Sequence, residues 1–288
     1  METKRPSNEE IAKRRAQNIL IDARARAKIA LEKYRVDEKN YHVSVLLTGE
    51  SGTGKTRIAR TCRKPVHIDS FDKGGTKSIR DDILKGDIIA ETKYEEEDPL
   101  DPTMFVIWTN DMKERIREGY FNHIGTYMLD SATWWLEAVL GHITKEKDRK
   151  DLTPNWGEDY KIHRNLITKY LQLILNLPCD VIVTGHLEGE RTMNRAGEMV
   201  VSKYRFHATG KASIYIPTLF DERWIAMTED AADGVKYRVL TQNIGRYDAK
   251  TRIGEGVFEK LEELHMKKLL RKAKLSTEDK PSLFAMSE

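Results

Sequence analysis

The chain has 288 residues, with 49 Lys and Arg against 46 Asp and Glu, a formal net charge of +3, and only two cysteines. That length can bury a substantial core without covalent staples. No run reaches the roughly 18 apolar residues of a membrane span, and two cysteines exclude a disulfide framework. A charge so near balance is no sign of a polyanion partner by itself, so any nucleic-acid contact has to rest on local clusters. No apolar leader is visible at the N-terminus, and a cytoplasmic protein is expected.

In chain order, residues 1–40 predict a basic helical extension. Ile11, Ile19, Leu20, Ile29 and Leu31 fall at rough helical spacing among Lys13, Arg14, Arg15, Arg24, Arg26 and Lys28. Ser7 with Glu10 forms a capping-box pattern. An α/β grammar follows over 41–256: an open, mainly parallel sheet flanked by helices. The apolar run His42–Leu47 predicts a buried strand that enters a glycine-rich turn and then a helix from Lys55 to about Cys62. Further strands are expected at Val66–Asp69, Asp87–Ala90, Tyr127–Asp130 and Val181–Thr184, with late strands at Trp224–Met227 and Tyr237–Leu240. Helices are expected at Asp111–Phe121, Ala132–Thr144 and Asp159–Leu177. Segments 91–102 and 145–157 read as polar surface loops, and 187–212 as a long irregular stretch. Residues 257–288 predict a basic amphipathic helix to 274 and a flexible tail. Trp134 and Trp135, early in one helix, are read as core.

The chemistry concentrates in Gly49-Glu50-Ser51-Gly52-Thr53-Gly54-Lys55-Thr56, which fits GxxxxGK[ST] between a strand and a helix and runs on into Arg57. Glycines there let the backbone turn successive N–H groups toward a phosphate. Lys55 is expected to reach the β- and γ-phosphates of ATP, and the Thr56 hydroxyl to hold Mg²⁺. Asp130 ends an apolar strand and is the expected second Mg²⁺ ligand. A group that activates water is also needed. Asp72, just past the second strand, is the first candidate, with Asp69 behind it. Thr184-Gly185-His186 ends another strand, where His186 is placed to sense the γ-phosphate.

Taken together, GESGTGKT, VHIDSFDKGG, YMLDSATWW and VIVTGH resemble the RecA-like phage nucleotide-binding ATPases, and within them the Sak type implicated in single-strand annealing and recombination. The similarity spans about residues 41–245. It implies a RecA-like P-loop NTPase core in which another strand, here Val181–Thr184, separates the Walker A and Walker B strands. It also implies ATP at Gly49, Gly54, Lys55 and Thr56, a Walker B role for Asp130, and a catalytic carboxylate after the second strand. A Glu is expected at that last place and Phe71-Asp72 stands there, which points to slow turnover. His186 replaces the usual sensor amide.

The two DNA-binding loops of the family would fall at 145–157 and 187–211. The later one offers Arg191, Arg195, Lys203, Arg205 and Lys211 for phosphates, with Tyr204 and Phe206 for bases. The earlier one offers Lys145, Lys147, Arg149, Lys150 and Trp156. Arg246, Lys250 and Arg252 follow the last strand as candidate fingers to a neighbouring subunit's γ-phosphate. The expected partners are single-stranded DNA, further copies in a ring or filament, and phage or host single-strand-binding or replication proteins. A P-loop kinase of a nucleotide or small molecule, and a non-enzymatic ATP-dependent assembly scaffold, stay open as alternatives.

Overall fold

The computed structural model describes residues 7–37, 41–195, 197–232 and 234–284, so the ends of the predicted N-terminal extension and C-terminal tail lie outside the described residues. The chain divides into two units, 1–41 and 42–288. The first holds α1 (Asn8–Val36). The capping box is formed: the Glu10 amide donates to Ser7 Oγ (3.3 Å) and the Ser7 amide to Glu10 Oε2 (2.8 Å), satisfying two end donors that the helix itself cannot. No residue of α1 is buried.

Among the described residues the second unit has ten strands and six α-helices. They are β1 (Ser44–Gly49), β2 (Val66–Ser70), α2 (Arg80–Leu84), β3 (Ile88–Glu91), α3 (Met104–Arg117), β4 (Thr126–Asp130), α4 (Ala132–Glu146), α5 (Glu158–Leu175), β5 (Asp180–Gly185), β6 (Leu187–Met193), β7 (Met199–Phe206), α6 (Ala212–Tyr215), β8 (Glu222–Ala231), β9 (Gly234–Leu240), β10 (Leu261–Glu263) and α7 (Met266–Lys272). Eight strands form one sheet in the order β10-β9-β8-β1-β5-β4-β2-β3, while β6 and β7 form a separate hairpin. Strands β3 through β8 along that order pair in parallel, and β9 and β10 add an antiparallel edge. This is the mainly parallel α/β arrangement that the RecA-like resemblance implies, with β5 between β1 and β4.

The strands read as continuous apolar runs because both faces are covered. Alternate residues feed different cores. Leu46, Tyr127, Leu129, Val181 and Val183 join Trp108 and Trp135 on one face. Val45, Leu47, Met128, Ile182 and Ile68 join Ile58 and Trp224 on the other.

Several expectations need correction. The segment after the phosphate loop is a six-residue 3₁₀ helix, Thr56–Thr61, and Pro65 soon follows it. A tight, short turn of this kind carries less of an α-helix's aligned dipole. The helix expected at 111–121 is α3, which begins seven residues earlier. The acidic segment 91–102 is no simple loop: a 3₁₀ turn, Lys93–Glu95, buries Tyr94. Most of the irregular stretch 187–212 is a β-hairpin, from Leu187 to Phe206. Residues 257–274 are not one helix but β10 and α7, whose Met266, Leu269 and Leu270 are buried. The tail is tied down rather than loose as far as Lys280, whose amide donates to the Lys64 carbonyl (2.8 Å), beside the Asp279–Lys267 ion pair (2.6 Å). Trp135 is fully buried, but Trp134 is 51% exposed. Adjacent helix positions point about 100° apart, so one tryptophan faces the core and the other does not.

Candidate functional site: a phosphate loop at the sheet's carboxyl edge

The loop leaves β1 at Gly49, where a Cβ would lie 2.6 Å from Thr53 Oγ1 and 2.8 Å from the Ala226 carbonyl oxygen. Gly54 has φ +86°, and a Cβ there would lie 2.5 Å from the Tyr237 ring, so both positions require glycine. Glu50, Ser51 and Gly52 are exposed at the crest of the turn, and the Thr53 hydroxyl closes it by donating to the Glu50 carbonyl (2.8 Å). Lys55 is buried beneath and donates to the carbonyls of Gly49 (3.0 Å) and Glu50 (2.8 Å). Burial lowers its pKa, against the pull of Asp130, Asp72 and Glu50. These groups are therefore close enough to share one field with it.

Thr56 and Asp130 meet, the hydroxyl donating to Oδ2 at 2.7 Å. The Thr184 hydroxyl at the end of β5 donates to Oδ1 of the same carboxylate. Asp130 is 1% exposed. Burial raises its pKa, the hydroxyls of Thr184 and Thr56 pull it back, and Asp72 adds to the rise. Among the described residues the carboxylate is thus held by neutral hydroxyl donors alone, with the Lys55 cation nearby.

Asp72 sits on the turn after β2. That turn is fixed to β4 by the Phe71 and Asp72 amides, which donate to the Asp130 carbonyl (2.6 and 3.2 Å). His186 Nε2 lies 4.0 Å from Asp72 Oδ2. Burial, then the nearby Lys55 charge, lowers the His186 pKa, which favours the neutral ring. Glu95 lies outside every sequence motif. It grips both ends of the turn that carries Asp72, accepting from Ser70 Oγ (2.7 Å) and the Gly74 amide (2.8 Å). No spacing rule would have found it, since the acidic run 95–98 offers several carboxylates of equal appearance.

Asp69 does not join the site. It is fully buried and accepts from Tyr127 Oη (2.7 Å), Trp108 Nε1 (2.9 Å) and Arg115 Nη1 (2.9 Å), with His67 Nε2 at 3.0 Å. With every lone pair engaged it has no capacity left to activate water, so Asp69 is no alternative to Asp72.

The hairpin β6–β7 grows directly from this site. A Cβ on Gly185 would lie 2.3 Å from the Phe206 ring, and the His207 amide donates to the His186 carbonyl (2.9 Å). Arg191 and Arg195 are exposed toward the tip, and Lys211 is exposed beyond the base. None of the three makes an ion pair among the described residues. Lys203 and Arg205 are paired, with Asp248 (3.4 Å) and Glu190 (2.9 Å). In the earlier segment Lys145, Lys147 and Arg149 are paired with Asp101, Glu158 and Asp159, while Trp156 is 82% exposed and stacks on Tyr160. The Lys150 side chain lies outside the described residues. Of the candidate fingers, Arg252 pairs with Asp221 (3.1 Å), and Arg246 and Lys250 are exposed.

A family model described as an AAA domain matches residues 42–253, which is most of the chain and includes every element of this site. The chain belongs to the AAA domain family. Its AAA domain is a P-loop NTPase fold. Among solved structures the chain is similar to a KaiC-like protein from the hyperthermophilic archaeon Pyrococcus horikoshii OT3, at 16% identity and a TM-score of 0.36, over 72% of this chain and 82% of that one. It is also similar to the flagellar accessory protein FlaH of Methanocaldococcus jannaschii, at 11% identity and a TM-score of 0.36, over 76% and 83%. No curated protein matches the chain. No helix among the described residues is long and apolar enough to cross a membrane.

Proposed function

We propose that the chain is an ATP-binding, slowly ATP-hydrolysing, oligomeric protein that binds single-stranded DNA in phage recombination, annealing or replication, in the cytoplasm of an infected host cell. The observation that carries this reading is a continuous chain of short contacts. It runs from Thr56 through Asp130 and Thr184 to Gly185 and His186, where the hairpin with the exposed Arg191 and Arg195 begins.

Mg²⁺ fits the donor set, because Thr56 and Asp130 present hard oxygen ligands to one point, and such an ion is ordinarily held by one or two carboxylates with phosphate and water oxygens. Bound there, the ion would neutralise developing charge between the β- and γ-phosphates. The protein's own groups do the remaining work. The Gly49–Thr56 backbone cradles phosphate oxygens, and Lys55 exchanges two loop carbonyls for them. Asp72, steadied by Glu95, accepts a proton from attacking water. Neutral His186 beside Asp72 registers the γ-phosphate and hands that state to the hairpin it starts. Arg246 and Lys250, exposed and without an ion pair among the described residues, suit a role toward a neighbouring copy better than the paired Arg252 does.

The test is linkage, since ligands that favour the same state must strengthen each other reciprocally. Titration of fluorescent single-stranded DNA with and without a non-hydrolysable ATP analogue, and the converse, is expected to show the same factor of about 5- to 150-fold in both directions. Two independent affinities would defeat the reading. One observation favours a kinase as the second reading. A cavity of about 1140 Å³, open to Asp72 and His186 and lined by Trp134, Pro99 and Leu140, has room for a phosphoryl acceptor. A phosphorylated product in a substrate screen would establish it.

A further inference from the structure

The cavity beside Asp72 and His186 holds about 1140 Å³, more than the roughly 300–1,000 Å³ of small-molecule sites. One face of α4 lines it. Trp134, Glu137, Ala138 and Gly141 fall at i, i+3, i+4 and i+7, the spacing of a single helical stripe. Trp134 is half-exposed on that stripe, and Ala138 and Gly141 add little bulk to it. A Cβ on Gly141 would lie 3.0 Å from Pro102 Cβ, so the helix comes close to the 94–102 segment there. Phe71 and Tyr94, both buried and stacked at 5.2 Å, add further apolar lining.

The charge on these walls has one dominant sign. Asp72, Glu95, Glu97 and Glu137 line the cavity, and Lys73 is the only lysine or arginine among its described lining residues. Glu95 is spent on Ser70 and Gly74. Glu97 is spent by half: Oε1 accepts from the amides of Thr103 (2.7 Å) and Met104 (3.2 Å) at the start of α3. Its Oε2 is buried and has no hydrogen-bond partner among the described residues. A buried carboxylate oxygen left in that condition is costly and calls for a donor. Glu137 is exposed and makes no ion pair among the described residues.

We propose that this cavity is a docking groove for an amphipathic helix of a partner protein, with leucine-like side chains for the Trp134 stripe and an arginine or lysine for Glu97 and Glu137. Charge complementarity selects the partner. The carboxylates repel the phosphates of a nucleic acid and attract a cation, and the aromatic and aliphatic lining takes the apolar face of a helix. Pro99, Pro102 and Pro154 also line the cavity and carry no amide donors, so these walls do not template an added strand. An occupant has to satisfy its own backbone, as a helix does. The inference stands apart from the nucleotide reading and needs nothing bound at the phosphate loop.

The experiment titrates the full chain into three fluorescent synthetic helical peptides, built of leucine with arginine, leucine with glutamate, and serine with arginine, and reads anisotropy. It repeats the titration with Trp134→Ala, Glu137→Lys and Glu146→Lys variants. All three positions are exposed, so none of the changes empties the core. Glu146 lies on α4 about half a turn round from Glu137 and does not line the cavity, which makes it the control. The leucine–arginine peptide should bind at least about tenfold more tightly than either of the others. Trp134→Ala and Glu137→Lys should each weaken it by about tenfold or more, and Glu146→Lys by less than about twofold. A benzophenone on that peptide should label the segments that contain Trp134 or Pro99. Equal binding of the serine–arginine peptide reduces the effect to surface charge and overturns the groove. So does an equal loss in Glu146→Lys, or label confined to other segments. Self-association of the chain that Trp134→Ala or Glu137→Lys abolishes would give the groove to a second copy and overturn the partner helix.

Discussion

Two aspartates end neighbouring strands of the same sheet, and their surroundings give them opposite characters. Asp69 on β2 and Asp130 on β4 lie one register step apart, Asp69 opposite Leu129 and Ser70 opposite Asp130. Both are almost completely buried. For Asp69, burial alone would raise the pKa, but His67, the Arg115 guanidinium and the Tyr127 hydroxyl outweigh it and hold the carboxyl down to about 2. Among the described residues Asp130 has only hydroxyl donors and a more distant lysine, and its pKa rises. The first charge is compensated within the protein. The second is short of positive charge, beside the loop that carries Lys55 and Thr56. Burial and residue type do not separate the two carboxylates; the count of compensating partners does.

The largest test of this contrast is Asp69→Asn. It strands the Arg115 guanidinium, which is 14% exposed in its side chain, and should cost about 3–5 kcal/mol of stability, read by denaturant unfolding. Nucleotide affinity of the folded fraction should be unchanged. Asp130→Asn should do the reverse. ATPase activity should fall by about a hundredfold or more, about 2.7 kcal/mol of transition-state stabilisation, while the midpoint of thermal unfolding holds or rises because a poorly compensated charge is gone. If Asp130→Asn unfolds the chain as readily as Asp69→Asn does, the two carboxylates are not different in kind.

The smallest effect is in pH. Because the folded pKa of Asp69 lies below the ordinary aspartate value of about 3.9, its contribution is complete above about pH 5 and is lost as pH falls through about 2. Asp130 is shifted the other way, so its share grows on acidification and partly offsets that loss. Stability measured between about pH 5 and pH 2 should therefore fall more steeply in Asp130→Asn than in the intact chain. Parallel curves would contradict the shift at Asp130.

These differences also mark what the sequence could disclose. The phosphate loop was legible because strand, glycines, lysine and threonine are contiguous, and their geometry is local. The parallel core was legible from apolar runs such as Val181–Val183, covered on both faces. Asp69 and Asp130 looked alike, since each closes an apolar run, and the groups that distinguish them arrive from elsewhere: Trp108, Arg115 and Tyr127 for one, Thr56 and Thr184 for the other. The hairpin was hidden because β6 has no buried residue and so lacks a period-two apolar face. Its turn is closed by polar bonds, the Glu198 amide to Asn194 Oδ1 (2.9 Å) and the Asn194 amide to the Glu198 carbonyl (2.8 Å). Arg57 lays its guanidinium over the Tyr237 ring, 4.7 Å from the centroid, and joins residues 180 positions apart, beyond the reach of any local pattern.

The hairpin's register slips between Glu190 and Arg191, just outboard of the place where Tyr204 is pinned, its ring stacked on Tyr247 at 4.8 Å and its amide bonded to the Arg246 carbonyl (2.8 Å). Such an irregularity bends a ribbon and sharpens its twist. It therefore divides the arm into a clamped root, where Lys203 and Arg205 are already neutralised, and an outer part with the exposed Arg191 and Arg195. Three residues of strand beyond that joint make a pointer of about 10 Å, so a tilt of a few degrees there moves the tip cations by less than about 1 Å. A tilt at this joint therefore adjusts the aim of two charges finely and does not carry them across the surface.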